Sequence, residues 1–203
     1  MTFTVERPEA RVVAAAKYGL LYIMNRNPGE MGGYVAGGPN KPSEIQLGEC
    51  WCGPSYFAGS DGIGRVVTSQ GNELKTWRVN TAIKTPLVRE GAATLPASIQ
   101  APGFLTSVSS NGTQSGTAII WAVPRPTSAS TPNLTLYAFN AAPTVGTLRV
   151  LYSAAAGTWA SLSNNASIVP VVADGKVYVA SFRLARGEPR RLTPCRTRGR
   201  SRF

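Results

Sequence analysis

Apolar residues recur along this chain in short runs, each closed by Gly, Asn, Asp or Pro, a rhythm of strands and turns. The clearest set lies between Phe104 and Ser153, where FLTSVS, TAIIWAV, LTLYAF and LRVLYS read as four consecutive strands. TAIIWAV is almost continuously apolar, the pattern of a strand covered on both faces. LRVLYS alternates, which predicts Leu148, Val150 and Tyr152 on one side and an exposed face on the other.

The same pattern extends in both directions. Residues 11–26 predict a hairpin, Val12–Ala16 and Leu20–Met24 around Lys17-Tyr18-Gly19, with Gly19 free to take positive φ. A long stretch rich in Gly and Pro, 27–54, predicts an irregular connection of the kind that carries binding loops. A second unit over 54–90 reads as PSYFAG, GRVVTS, NELKTWRVN and TPLVRE, with turns at Ser60-Asp61-Gly62 and Gln70-Gly71-Asn72. Residues 91–103 predict a loop. The last unit, 167–182, places two strands around Asp174-Gly175, a strong hairpin signal.

Corresponding second strands begin near Val12, Arg65, Thr117 and Lys176, at intervals of 53, 52 and 59 residues. A repeat slightly above ~40–50 residues, built from four strands, points to an all-β propeller with blade units near 11–26, 54–90, 104–153 and 167–182. A β-sandwich also gives short strands and turns, but here the order of strand types recurs. Three to four blades fall short of the ~4–8 of a closed ring. An incomplete ring over residues 1–182 is therefore expected, and the chain reads as a fragment of a longer protein.

Charge refines the boundaries. The net charge is +11, yet eight arginines against Glu188 alone lie between Arg183 and Arg202, which leaves +4 for residues 1–182. The tail 183–203 has no apolar periodicity. It is expected to be disordered and is read as the product of a lost reading frame. Its arginines would meet phosphates without reading bases, so nucleic acid is not the expected partner. No apolar run spans a bilayer, and MTFTVERPEARVV carries no apolar core ahead of its charges, so no signal peptide is expected.

The sequence has no histidine, which excludes Ser-His-Asp and Cys-His pairs and His-ligated zinc. No paired carboxylates stand out, so no catalytic residue and no metal site are assigned. Cys50-Trp51-Cys52 is the most unusual local feature. Its thiols could share a soft metal, close a small redox ring, or pack as small apolar groups around a tryptophan wedge. Asn111, in the loop SSNGTQSG, offers amide and hydroxyl chemistry that a turn also needs. Trp77 and Trp121 lie within strands and are expected to lock neighbouring units together, whereas Trp159 lies in a loop and is open to a ligand. Cys50, Trp51, Cys52, Asn111 and Trp159 are thus the candidate ligand positions.

DGKVYVAS (174–181) and LTLYAFN (134–140), with GLLYIMNR (19–26) as a looser match, resemble the quinoprotein (pyrroloquinoline-quinone) type β-propeller repeat. The resemblance covers about residues 11–182. It implies the propeller fold and, through exported relatives, a periplasmic or secreted location. Family enzymes hold the quinone under adjacent bonded cysteines, over a tryptophan and beside calcium. Here the cysteines are separated by Trp51, and the only aspartates, Asp61 and Asp174, fall in turns. The expectation is a non-catalytic or catalytically incomplete scaffold that binds a protein or small ligand at its loops, with no cofactor. A fragment of a quinone-dependent dehydrogenase, with quinone and calcium, is the alternative. Polyanion binding through the tail is a second alternative.

Overall fold

The computed structural model describes residues 11–25, 43–80, 82–83, 86–97, 102–128, 130–159, 168–181 and 193–195. Among them there is no helix. The strands form four antiparallel sheets, none closed on itself, and in each sheet spatial order follows chain order. The first sheet contains β1 (Arg11–Ala15), β2 (Leu20–Asn25) and β3 (Ser43–Gln46). The second contains β4 (Ser55–Ala58), β5 (Gly64–Gln70), β6 (Glu73–Val79) and β7 (Leu87–Thr94). The third contains β8 (Thr106–Ser109), β9 (Ile119–Ala122), β10 (Asn133–Asn140) and β11 (Val150–Thr158). The fourth contains β12 (Val171–Ala173), β13 (Lys176–Val179) and β14 (Thr193–Cys195).

The side chains explain why the sheets stack in chain order. Successive residues of a strand point to opposite faces. In β9, Ile120 and Ala122 enter a core shared with Val67 and Leu74 of the second sheet. Trp121 and the adjacent Val123 enter another, shared with Val177 and Val179 of the fourth. The second sheet is divided likewise: Val66 and Trp77 pack on Leu21 and Ile23 of the first. Each fully buried aliphatic side chain contributes about 1.5–3 kcal/mol. Inter-sheet packing therefore rests on apolar faces, and the continuous hydrophobicity of TAIIWAV follows from a sheet covered twice. At one edge of the stack the first strands meet, β4 against β8 and β8 against β12, and the hydroxyls of Ser55 and Thr106 are hydrogen-bonded.

The expected hairpin over 11–26 is present, with Gly19 at φ 94°. Several boundaries differ from expectation. The stretch 27–54 is not wholly irregular, because Ser43–Gln46 pairs with β2, Ile45 reaching the first core; residues 26–42 lie outside the described residues. The loop expected over 91–103 begins late, since β7 continues to Thr94 opposite Glu73. β11 runs past Ser153 to Thr158. In the tail, Thr193–Cys195 pairs with β13 as the third strand of its sheet, and the remainder of 183–203 lies outside the described residues.

The face assignment of LRVLYS is also corrected. Leu148 is buried, but Val150 and Tyr152 are exposed. A register shift at Ala138/Phe139 lets Val150 and Tyr152 oppose consecutive residues of β10, so the simple alternation of a regular strand does not hold.

Candidate functional site

The strand registers bring the β1–β2 turn, the β5–β6 turn, the inter-sheet connection 47–54 and residues 95–97 and 102–105 of the next connection to one end of the stack. Backbone bonds tie them together. Leu47 N–H donates to the Gly19 carbonyl (2.8 Å), Gly71 N–H to Glu49 (3.1 Å), and Leu95 N–H to Asn72 (2.8 Å). Gly103 N–H donates to Gly71 (2.8 Å) and Trp51 N–H to Pro102 (2.8 Å). The loops are thus a fixed rim rather than independent excursions.

A cleft of about 490 Å³ opens in this rim, with Glu49, Gln70, Asn72, Glu73, Thr94 and Pro102 on its walls. Glu73 is already engaged, by Lys75 Nζ at 3.1 Å, Arg89 Nη2 at 3.1 Å and Gln70 Nε2 at 3.0 Å. Among the described residues Glu49 forms no ion pair. The cleft therefore presents the Glu49 carboxylate, the Asn72 amide and the Thr94 hydroxyl as hydrogen-bonding groups on an otherwise mainly apolar surface.

Cys50-Trp51-Cys52 follows Glu49 directly in the chain but does not line the cleft. The two cysteines are joined by a disulfide, which replaces the reading of two separate thiols packing as apolar groups. Cys50 is nevertheless buried in the first core beside Leu47, Val66 and Trp77. Trp51 is half-buried with Lys17 Nζ 4.4 Å over its ring, a cation–π contact that occupies the face a stacked ligand would use. Gly103 passes between this loop and β5 at φ 79°, where a Cβ would stand 3.1 Å from Ser69 Oγ and 3.2 Å from Cys50 Sγ. Only glycine fits there without displacement.

Arg125 completes the rim, and sequence reasoning missed it. It is 3% exposed, with Nη1 3.5 Å from the Gly103 carbonyl. Burial pushes its pKa down, yet a guanidinium stays charged. Its placement between Pro124 and Pro126, both buried, was the signal available: a bracketed arginine in a short connection.

Of the other candidates, Asn111 lies at the opposite end of the third sheet. Its amide and Gln114 are hydrogen-bonded, and its N–H donates to Thr117 Oγ1 at 3.1 Å, so the loop is satisfied by its own groups. Trp159 follows β11 directly, donates its N–H to Pro132 at 2.6 Å and packs on the core between the third and fourth sheets. Trp77 and Trp121 are buried in inter-sheet cores, with Nε1–H donated to Thr68 Oγ1 (2.8 Å) and Ser109 Oγ (2.9 Å). Asp61 is held by Arg65, whose guanidinium also spans Glu90 with two bonds of 3.1 Å.

No protein-family model matches the chain, and no curated protein matches it. Among the described residues no group of three or more His, Cys, Asp or Glu stands close enough to hold a metal ion. Asp61 is held by Arg65 and Glu73 by Lys75 and Arg89, which leaves Glu49 as the cleft's single carboxylate outside an ion pair, fewer oxygen ligands than a calcium ion takes. No helix among the described residues is long and apolar enough to cross a membrane.

Proposed function

We propose that this chain is a quinoprotein-like β-propeller scaffold, catalytically incomplete, that binds a polar ligand at the rim cleft around the turn between β5 and β6. Three packed interfaces in chain order, with β4, β8 and β12 side by side along one edge, support the propeller reading. The cleft carries the binding reading, because Glu49 and Asn72 from two connections and Thr94 from the end of β7 line it, and backbone bonds hold these segments in fixed relation.

Glycan and peptide arrays probed with the wild type and with Asn72→Trp, which fills the cleft, test this function. Capture of a class of ligand by the wild type and its loss in the variant, at unchanged melting temperature, is the expected result. Equal capture by both proteins removes the cleft from the proposal. Titration with the quinone and calcium, followed by tryptophan fluorescence, separates the dehydrogenase reading. Saturable, stoichiometric quenching there would sink the scaffold reading.

A further inference from the structure

We infer that Asn111 is a site of spontaneous deamidation, at which the folded protein reacts with water to give aspartate and isoaspartate. The inference is independent of the ligand cleft. Asn111 stands in the connection between β8 and β9, where residues 110–116 are all exposed. It is the one asparagine of the chain that a glycine follows.

Gly112 supplies the nucleophile. Its N–H donates to no group among the described residues. The other amides of the loop are engaged: Asn111 N–H meets Thr117 Oγ1 (3.1 Å), Gln114 N–H the Asn111 carbonyl (3.1 Å), and Thr117 N–H the Gln114 carbonyl (3.4 Å). A Cβ at Gly112 would meet nothing within 4 Å, so this peptide has open space in which to turn toward the Asn111 side chain. At φ 54° it also sits where glycine is unstrained. Asn111 Nδ2 donates to Gln114 Oε1 at 2.5 Å, but Gln114 is exposed as well and water competes for that bond.

The step needs only water. Gly112 N gives its proton to hydroxide and attacks Asn111 Cγ. The N–Cγ bond forms, the Cγ–Nδ2 bond breaks, and ammonia leaves with the electron pair and a proton taken from water. Water then opens the five-membered imide at either carbonyl, giving aspartate or isoaspartate. Amide plus water becomes carboxyl plus ammonia, and nothing is oxidised or reduced. A side chain on the following residue crowds the approach to Cγ, which sets apart Asn72 and Asn133, also exposed but followed by Glu73 and Leu134.

The product rearranges this loop alone. A carboxylate at 111 has no proton to donate to Gln114 Oε1. In isoaspartate the main chain gains a methylene between the N–H that Thr117 accepts and the carbonyl that Gln114 meets. β9 stays held by its two apolar faces and by Trp121 Nε1–H on Ser109 Oγ (2.9 Å).

Incubation of the full chain at physiological temperature, followed by peptide mapping with electron-transfer fragmentation, tests the proposal. The synthetic peptide SSNGTQSG serves as the clock. Asn111 should convert before any other asparagine, to both products, and faster in mildly alkaline than in mildly acidic buffer. Hydrogen exchange should then rise over 111–117 and stay unchanged in β9. Gly112→Ala should slow the conversion and Asn111→Gln abolish it, each variant checked for folding by circular dichroism. Asn111 left intact in the native chain once the peptide has converted, conversion only in urea, prior conversion of Asn72 or Asn133, or an unchanged rate in Gly112→Ala overturns the assignment.

Discussion

The hydroxyl of Ser69 serves both backbone groups of Phe104: it donates to the carbonyl at 2.6 Å and accepts from the N–H at 2.7 Å. Ser69 lies near the end of β5 in the second sheet and Phe104 leads into the third, so one side chain ties the two sheets at this point. Both residues are buried. Ser69→Ala leaves a buried N–H and carbonyl unsatisfied, at about 1–3 kcal/mol each if water does not enter. A loss of about 2–4 kcal/mol in urea unfolding is expected, with an unchanged m-value.

Val145 gives a prediction of opposite sign. Thr144 and Thr147 exchange both backbone hydrogen bonds (2.9 and 3.0 Å) around Val145 and Gly146, whose φ values are 47° and 76°. Two positive φ angles make this a primed hairpin turn, which favours Asn-Gly over Val-Gly. A β-branched residue there is strained, and at 98% exposure it gains nothing from burial. Val145→Asn should stabilise by about 1 kcal/mol, read as a higher melting temperature.

Trp77 and Thr68 are coupled across β5 and β6, with the indole N–H 2.8 Å from the hydroxyl in a site both residues bury. A double-mutant cycle of Trp77→Phe and Thr68→Val should return a coupling of about 1 kcal/mol. The single variants should each lose more than the pair analysis assigns to the bond, since each leaves a buried polar group alone. A coupling near zero would show that the tryptophan acts through packing only.

Acid sensitivity should trace to Asp61. The Arg65 guanidinium, then the Ile63 amide, hold its carboxyl well below the usual carboxylate range. A depressed folded-state pKa gives stability that is present above the unfolded value near 4 and lost as pH falls below it. Asp61→Asn should therefore flatten the fall in melting temperature between about pH 4 and pH 2, with little change in slope above about pH 5. An identical acid slope in wild type and variant would falsify the assignment. Because Asp61 lies at the surface, added salt should reduce the difference.

The continuous apolar run of β9 and the Gly-centred turns at Gly19, Gly62 and Gly71 made most strands and their order readable from sequence. These are local signals, set by backbone sterics and by which faces are apolar. The strand ends were less readable. β7 and β11 run on through Gly91-Ala92-Ala93-Thr94 and Ala154–Thr158, small residues with weak pattern whose extended form is fixed by pairing with β6 and β10. Similarly, Ser43–Gln46 is too polar to announce a strand until β2 is beside it.

The Cys50-Trp51-Cys52 motif shows the same division at the site. Its residue types and its place in a long connection between sheets marked it as unusual in the sequence. By itself, though, the spacing left metal, redox ring and apolar packing open. The structure joins the two cysteines of the motif, and the lysine over Trp51 and the close passage of Gly103 come from segments distant in the chain. So do the lining of the cleft and the burial of Arg125. Sequence thus determined an all-β chain of repeated antiparallel units, because strand and turn preferences act over a few residues. Tertiary structure alone decided which loops share a rim, because that depends on how one sheet lies against the next.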